Sequence, residues 1–194
     1  MKTSSFRRLA NYSAAGAALV LQLFAFTSSA QESITVSSTA FEHDTDIPIE
    51  FSAYGDNRSP DINWSSLPEG TKQVALILED PIVAMPQPFV HWVAYNIPAS
   101  ATGLPAGLAT DAKVIGHAQL SGMLNGVNGT TRTGYFGPRP PADGKVHNYH
   151  FTVYALDLPT ILPQGLSKEG LLKAMEGKVL ASGTLTGNYQ HFEQ

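Results

Sequence analysis

Cysteine is absent from the 194-residue chain. No disulfide supports the fold and no thiol does chemistry, so stability has to come from packing and hydrogen bonds. Charge is sparse too. Asp, Glu, Lys and Arg together make up 14% of the residues, and the balance is acidic, 16 carboxylates against 12 basic side chains. No basic stripe is present to neutralise a run of phosphates, which argues against a nucleic-acid partner. Nor is there an apolar run of the ~20 residues that a spanning helix needs. No internal repeat and no low-complexity linker divides the chain.

The first thirty residues read differently from the rest. Lys2, Arg7 and Arg8 precede a mostly small and apolar run from Ala14 to Phe26, and Ser28-Ser29-Ala30 follows. A basic start, an apolar middle and a small-residue cleavage site are the three parts of a secretory signal. The expectation is a signal peptide over residues 1–30, cleaved near Ala30, and a periplasmic or secreted protein of residues 31–194 forming a single domain. The Arg7-Arg8 pair lacks the wider context of a twin-arginine signal, and no cysteine stands at the junction to carry a lipid. Removing the segment takes away three basic residues and no acidic ones, leaving 9 Lys and Arg against 16 Asp and Glu, a net of −7. Any anion bound by such a chain must be held by local donors inside a pocket, against the overall field.

The remainder is β-rich. Ile34-Thr-Val-Ser-Ser is a short alternating strand, and Val74–Leu78 and Phe89–Asn96 are stronger ones. The segment from Tyr149 to Leu156 alternates most clearly, placing Tyr149, Phe151, Val153 and Ala155 on one face. A last strand is expected from Val179 to Gly187. Pro and Gly punctuate nearly every connection. One helix is predicted: Ser167 as its N-cap, Glu169 in the first turn, Leu171, Leu172 and Met175 as its apolar stripe, and Gly177 at its end. Many strands separated by turn signals predict a sandwich or barrel.

Two loops carry polar chemistry. One leaves an apolar strand at Asp80-Pro81, crosses a Pro-rich stretch and re-enters a strand at His91-Trp92, which puts Asp80 and His91 at neighbouring strand ends. The other runs from Arg132 to Tyr149. In it Gly134 and Gly137 allow close approach of a ligand to the main chain. Pro138, Pro140 and Pro141 stiffen the loop, and His147 and Tyr149 share a strand face. Trp64 and Trp92 read as core, and His43, His117, His150 and His191 as surface residues. The stretch from Ala99 to Asn128 is long enough to serve as a dimer surface.

These motifs together resemble the phosphatidylethanolamine-binding proteins, also known as Raf kinase inhibitor-like proteins, in their bacterial branch. The resemblance rests on Asn57-x-Ser-Pro-x-Ile-x-Trp64, on Asp80-Pro81 followed by His91-Trp92, and on Gly134-Tyr-x-Gly-Pro-x-Pro-Pro141 followed by His147-x-Tyr149. It implies a mainly β fold, a sandwich of two antiparallel sheets with a few short helices. It further implies a small pocket for a phosphate-like anion or phosphorylated headgroup, lined by Asp80, His91, Gly137, Pro138, His147 and Tyr149. Two imidazoles, a phenol and backbone N–H groups can all donate to a phosphate oxygen.

The chain also departs from the pattern. Where the family has a second carboxylate two residues after Asp80, this sequence has Ile82. Where bacterial relatives carry cysteines, it has Ala53 and Arg139. Arg139 is expected to add a permanent cation to the pocket rim. Catalysis is not expected: there is no Gly-x-Ser-x-Gly elbow and no His-x-x-x-His pair, and no metal or cofactor is implied. Two other functions stay open, a modulator of a kinase or protease acting through surface loops, and a metal-dependent hydrolase built on Asp80, His91 and His147.

Overall fold

The computed structural model describes residues 32–192, apart from residues 66 and 84. The expected signal peptide and its cleavage near Ala30 lie outside the described residues.

Among the described residues ten strands form two sheets. In chain order they are β1 (Glu32–Ser33), β2 (Val36–Ser37), β3 (Thr45–Asp46), β4 (Ile62–Trp64), β5 (Gln73–Asp80), β6 (Phe89–Pro98), β7 (Gly103–Leu104), β8 (Leu124–Asn125), β9 (His147–Leu156) and β10 (Val179–Tyr189). The larger sheet runs β1-β10-β9-β5-β6-β8, with β3 also on β10, and the smaller runs β2-β4-β7. The four long strands are antiparallel neighbours, whereas β1 and β3 lie parallel to β10. This is the mainly β, two-sheet architecture that the family resemblance implies, with parallel pairing confined to β1 and β3.

Burial explains why β5 and β6 read as continuous apolar runs. Val74, Leu76 and Leu78 of β5 join Trp92 and Ala94 of β6 in a core that also holds Val36, Ile62 and Trp64 of the small sheet. The alternate residues, Ala75, Ile77, Val93 and Tyr95, face a second apolar cluster with Leu171 and Met175 of α1 (Lys168–Met175). A strand covered on both faces needs no polar alternation. In β9, by contrast, Tyr149, Phe151, Val153 and Ala155 all enter the first core, as the alternation predicts. The helix forms where expected, with the Ser167 hydroxyl accepting from Gly170 N–H at 3.3 Å. Of the three apolar residues assigned to its stripe, Leu172 is 40% exposed, because only Leu171 and Met175, four apart, stack on one face.

The predicted strand at Ile34 divides instead of continuing. Residues Glu32–Ser33 pair with β10 in the large sheet, and Val36–Ser37 pair with β4 in the small one. Between them the Ile34 N–H donates to Ser182 O, and the Thr35 carbonyl accepts from Ser65 N–H. The crossing brings the Ile34 backbone directly against Gly183, where a Cβ would collide with the Ile34 carbonyl. Only glycine fits there.

Candidate binding site

Two ladder features gather the polar residues. The β5–β9 register ends at Glu79↔His150, so one step further sets Asp80 beside Tyr149 and His147 at the mouth of the sheet. The β5–β6 register jumps at the same end: Leu78 pairs with Trp92 but Glu79 pairs with Val90, leaving His91 as an extra, unpaired residue. That is a β-bulge, and it breaks the strict inward–outward alternation of β6. Trp92 keeps its place in the core, yet its neighbour His91 meets the inward ring of Tyr149, edge to face at 5.1 Å. His91 also stacks on Phe136, nearly parallel at 5.6 Å.

The central contact is between Asp80 and His147. Asp80 Oδ2 accepts from His147 Nδ1 at 2.6 Å, and Asp80 Oδ1 accepts from the Ile82 backbone N–H at 2.8 Å. Both carboxylate oxygens are engaged, and the residues are 2% and 4% exposed. A carboxylate on Nδ1 fixes both the tautomer and the orientation of the ring, leaving Nε2 as the nitrogen for a ligand. His91 is fixed in the same manner by a different group. Its Nδ1 donates to the Phe136 carbonyl at 2.7 Å. Burial lowers its pKa from 6.5 to about 4, against the opposing pull of the Phe136 carbonyl and the Asp80 charge. His91 is therefore neutral near pH 7, with Nε2 an acceptor.

Tyr149 completes the group. Its ring is fully buried, and its hydroxyl meets no partner in good hydrogen-bond geometry among the described residues, although the Asp80 carboxylate and the Arg139 backbone lie close to it. Burial first, and then the negative charge of Asp80, raise its pKa, so the phenol keeps its proton. Gly137 and Pro138 close the site from the second loop. Gly137 N–H donates to Asn57 Oδ1 at 2.7 Å, and Ala53 N–H donates to the Pro138 carbonyl at 3.0 Å. At Gly137 a Cβ would stand 2.3 Å from the Phe51 carbonyl, so the loop seats only with glycine there.

His147 lines an open cavity of about 470 Å³ whose walls are Ile82, Val83, Met85 and Pro141, with Lys145 and Asp143 beside them. Lys145 and Asp143 pair with each other at 2.8 Å. Arg139 has its side chain placed elsewhere, although its backbone lies near the Tyr149 hydroxyl. Its side chain is exposed, its guanidinium carbon lies 5.9 Å from the centre of the Tyr54 ring, and it lines a separate cavity with Arg132. Asp80, His91, His147 and Tyr149 thus converge with the Gly137 backbone beside His91, Pro138 follows on the same loop with its carbonyl on Ala53, and the Arg139 guanidinium points to the neighbouring space. Phe136 and the Asn57 side-chain oxygen were not singled out from sequence as site residues. Asn57 adopts φ 53°, a conformation that asparagine tolerates better than most residues. Its place beside Gly137 is set by a contact 80 residues away in sequence, so local signals could not reveal it. Among the described residues no three of His, Asp and Glu cluster closely enough to hold a metal ion.

A buried Asp–His pair, a second imidazole and a buried phenol gather at one end of the large sheet, an arrangement in keeping with a ligand-binding protein. Residues 37–190 match the phosphatidylethanolamine-binding protein family, and the chain belongs to that family. It is 38% identical over 151 residues to a UPF0098 protein of Methanothermobacter thermautotrophicus, covering 78% of this chain and 95% of that one. It is 35% identical over 162 residues to LppC of Mycobacterium tuberculosis, a proposed lipoprotein, covering 81% and 75% of the two chains. The crystal structure of YbcL from E. coli superposes with a TM-score of 0.74 at 27% identity, over 82% of this chain and 99% of YbcL.

Proposed function

We propose that this chain is an exported, non-catalytic binding protein that holds a small phosphate-like anion or phosphorylated headgroup at His147, His91, Tyr149 and the Gly137-Pro138 backbone. The Tyr149 hydroxyl carries the reading. A buried O–H without an acceptor costs stability, and it stands beside an imidazole whose other nitrogen is already locked by Asp80. A ligand oxygen supplies a well-aligned acceptor, which the nearby Asp80 carboxylate does not give Tyr149. Neutral His91 adds a lone pair, so the complementary ligand brings one donor of its own, either the P–OH of hydrogen phosphate or the ammonium of a headgroup.

The carboxylates near this cavity offer an amine little. Both oxygens of Asp80 are engaged, Asp143 is paired with Lys145, and position 82 is an isoleucine. The anionic end of the ligand therefore dominates recognition, and phosphate and O-phosphorylethanolamine bind with similar affinity. Export is supported by the composition of residues 1–30 and by the likeness to LppC. Among the described residues no helix is long and apolar enough to cross a membrane.

Calorimetric titration with phosphate and with O-phosphorylethanolamine tests the reading. Saturable binding of both is expected, weakened at least tenfold in His147→Gln. Absence of heat with either ligand, together with capture of a kinase or protease, would shift the assignment to an enzyme modulator acting through its loops.

A further inference from the structure

The Arg132–Arg139 cavity holds charge that the site above does not use. It encloses about 360 Å³, and its walls include Asn57, Thr130, Thr133 and Phe136 besides the two arginines. Among the described residues no Asp or Glu lines it. Asp56 and Asp111, the sequence neighbours of Asn57 and of Thr110 in the wall, form no ion pair with either guanidinium, and neither arginine is in any ion pair among the described residues. In a chain whose acidic groups outnumber its basic ones, two cations share one hollow with no counter-charge.

Most other polar groups of the wall are already committed, the exposed Thr110 hydroxyl excepted. Thr130 Oγ1 donates to Asn128 Oδ1 at 2.6 Å, and Thr133 Oγ1 donates to the Thr110 carbonyl at 2.8 Å. Asn128 Nδ2 donates to the Gly134 carbonyl at 2.9 Å, and the Tyr135 hydroxyl donates to the Phe51 carbonyl at 2.6 Å. Asn57 spends its oxygen on Gly137 N–H, which leaves its amide Nδ2 as a donor. What the cavity still offers is the Asn57 amide, the Thr110 hydroxyl and two guanidinium forks. That set has donors and positive charge but no free acceptor of comparable strength, and a guanidinium fork matches the paired oxygens of a carboxylate, sulfate or phosphate.

We infer that this cavity is a second anion site, separate from the one at His147, which seats a small oxyanion on Arg132 and Arg139 with the Asn57 amide as a third donor. It adjoins the first site through two shared elements. Phe136 lines it while stacking on His91, and Asn57 lines it while holding Gly137.

Sulfate distinguishes the two sites, because it remains a dianion across pH 5.5–8.5 and carries no proton to offer His91. No histidine or carboxylate lines the arginine cavity, and arginine keeps its charge throughout this range. Titration of the full chain with sodium sulfate, followed by amide NMR against sodium chloride at matched ionic strength, is expected to give saturable shifts between Thr130 and Arg139 at pH 5.5 and at 8.5. The double variant Arg132→Gln/Arg139→Gln is expected to raise the dissociation constant at least tenfold, and each single Arg→Lys variant to fall between it and the parent. His147→Gln is expected to retain the sulfate response. Both arginines are exposed, so dispersed spectra of the variants check folding directly, and the Lys variants carry the test should the double variant misfold. Shifts that fail to saturate or are reproduced by chloride overturn the inference. So does a double variant that binds like the parent, or a response that vanishes at pH 8.5 or in His147→Gln.

Discussion

Asp80 Oδ2 accepts the Nδ1–H of His147 at 2.6 Å, joining the last residue of β5 to the first of β9 where both are almost fully buried. Removing one partner of such a pair strands the other polar group in a low-dielectric site, which costs about 3–5 kcal/mol. Asp80→Ala is therefore expected to lower the unfolding free energy by about 3 kcal/mol, since it also removes the acceptor for Ile82 N–H. Urea denaturation measures this. A loss below about 1 kcal/mol would mean that water or backbone movement replaces the carboxylate.

His91 gives stability a defined pH dependence. Its folded pKa, about 4, lies below the unfolded value of 6.5, so between those values the unfolded chain binds the extra proton. The stabilisation is complete above pH 6.5 and declines as pH falls towards 4, by about 3 kcal/mol in all. His91→Asn keeps a donor near the Phe136 carbonyl and removes the titration. Denaturation midpoints of the two proteins are expected to diverge at neutral pH and converge near pH 4. Parallel curves would contradict the burial of a neutral imidazole.

Tyr149→Phe separates stability from binding. The hydroxyl is buried without a well-formed hydrogen bond among the described residues, so its removal is expected to leave the ligand-free protein unchanged or to stabilise it by up to about 1 kcal/mol. Phosphate affinity is expected to fall by a factor of about 10, the value of one charge-assisted hydrogen bond. Thermal melts with and without phosphate read both effects. A destabilised ligand-free variant would show that the hydroxyl is satisfied within the protein.

Gly137→Ala tests whether the second loop is seated by a missing Cβ. The added methyl would meet the Phe51 carbonyl at 2.3 Å and press on the strand of contacts that includes Asn57. A loss of about 2–3 kcal/mol is expected, as for other overpacked buried positions. Phosphate affinity should fall with it, because Pro138 moves too. An unaltered midpoint would mean that the loop can shift without cost.

The sequence alone was enough for the alternating face of β9 and for the capped helix after Ser167, and its short motifs singled out Asp80, His91, His147 and Tyr149 as candidates. Each of these is a local property. Period-two alternation, a capping hydroxyl and short motifs operate within a few residues, and the chain carries them wherever it goes. Tertiary structure decided the rest. His91 reaches the ring of Tyr149 only because a bulge against β5 shifts the alternation of β6, and a bulge is a property of two strands, not of one. The fate of Arg139 was equally unreadable. Its motif position placed it at the rim of the His147 cavity, yet its long side chain lies over Tyr54 and beside Arg132. A flexible cation goes where neighbouring surfaces and charges send it, and those neighbours are assembled only when the loops at residues 54, 110 and 130 come together.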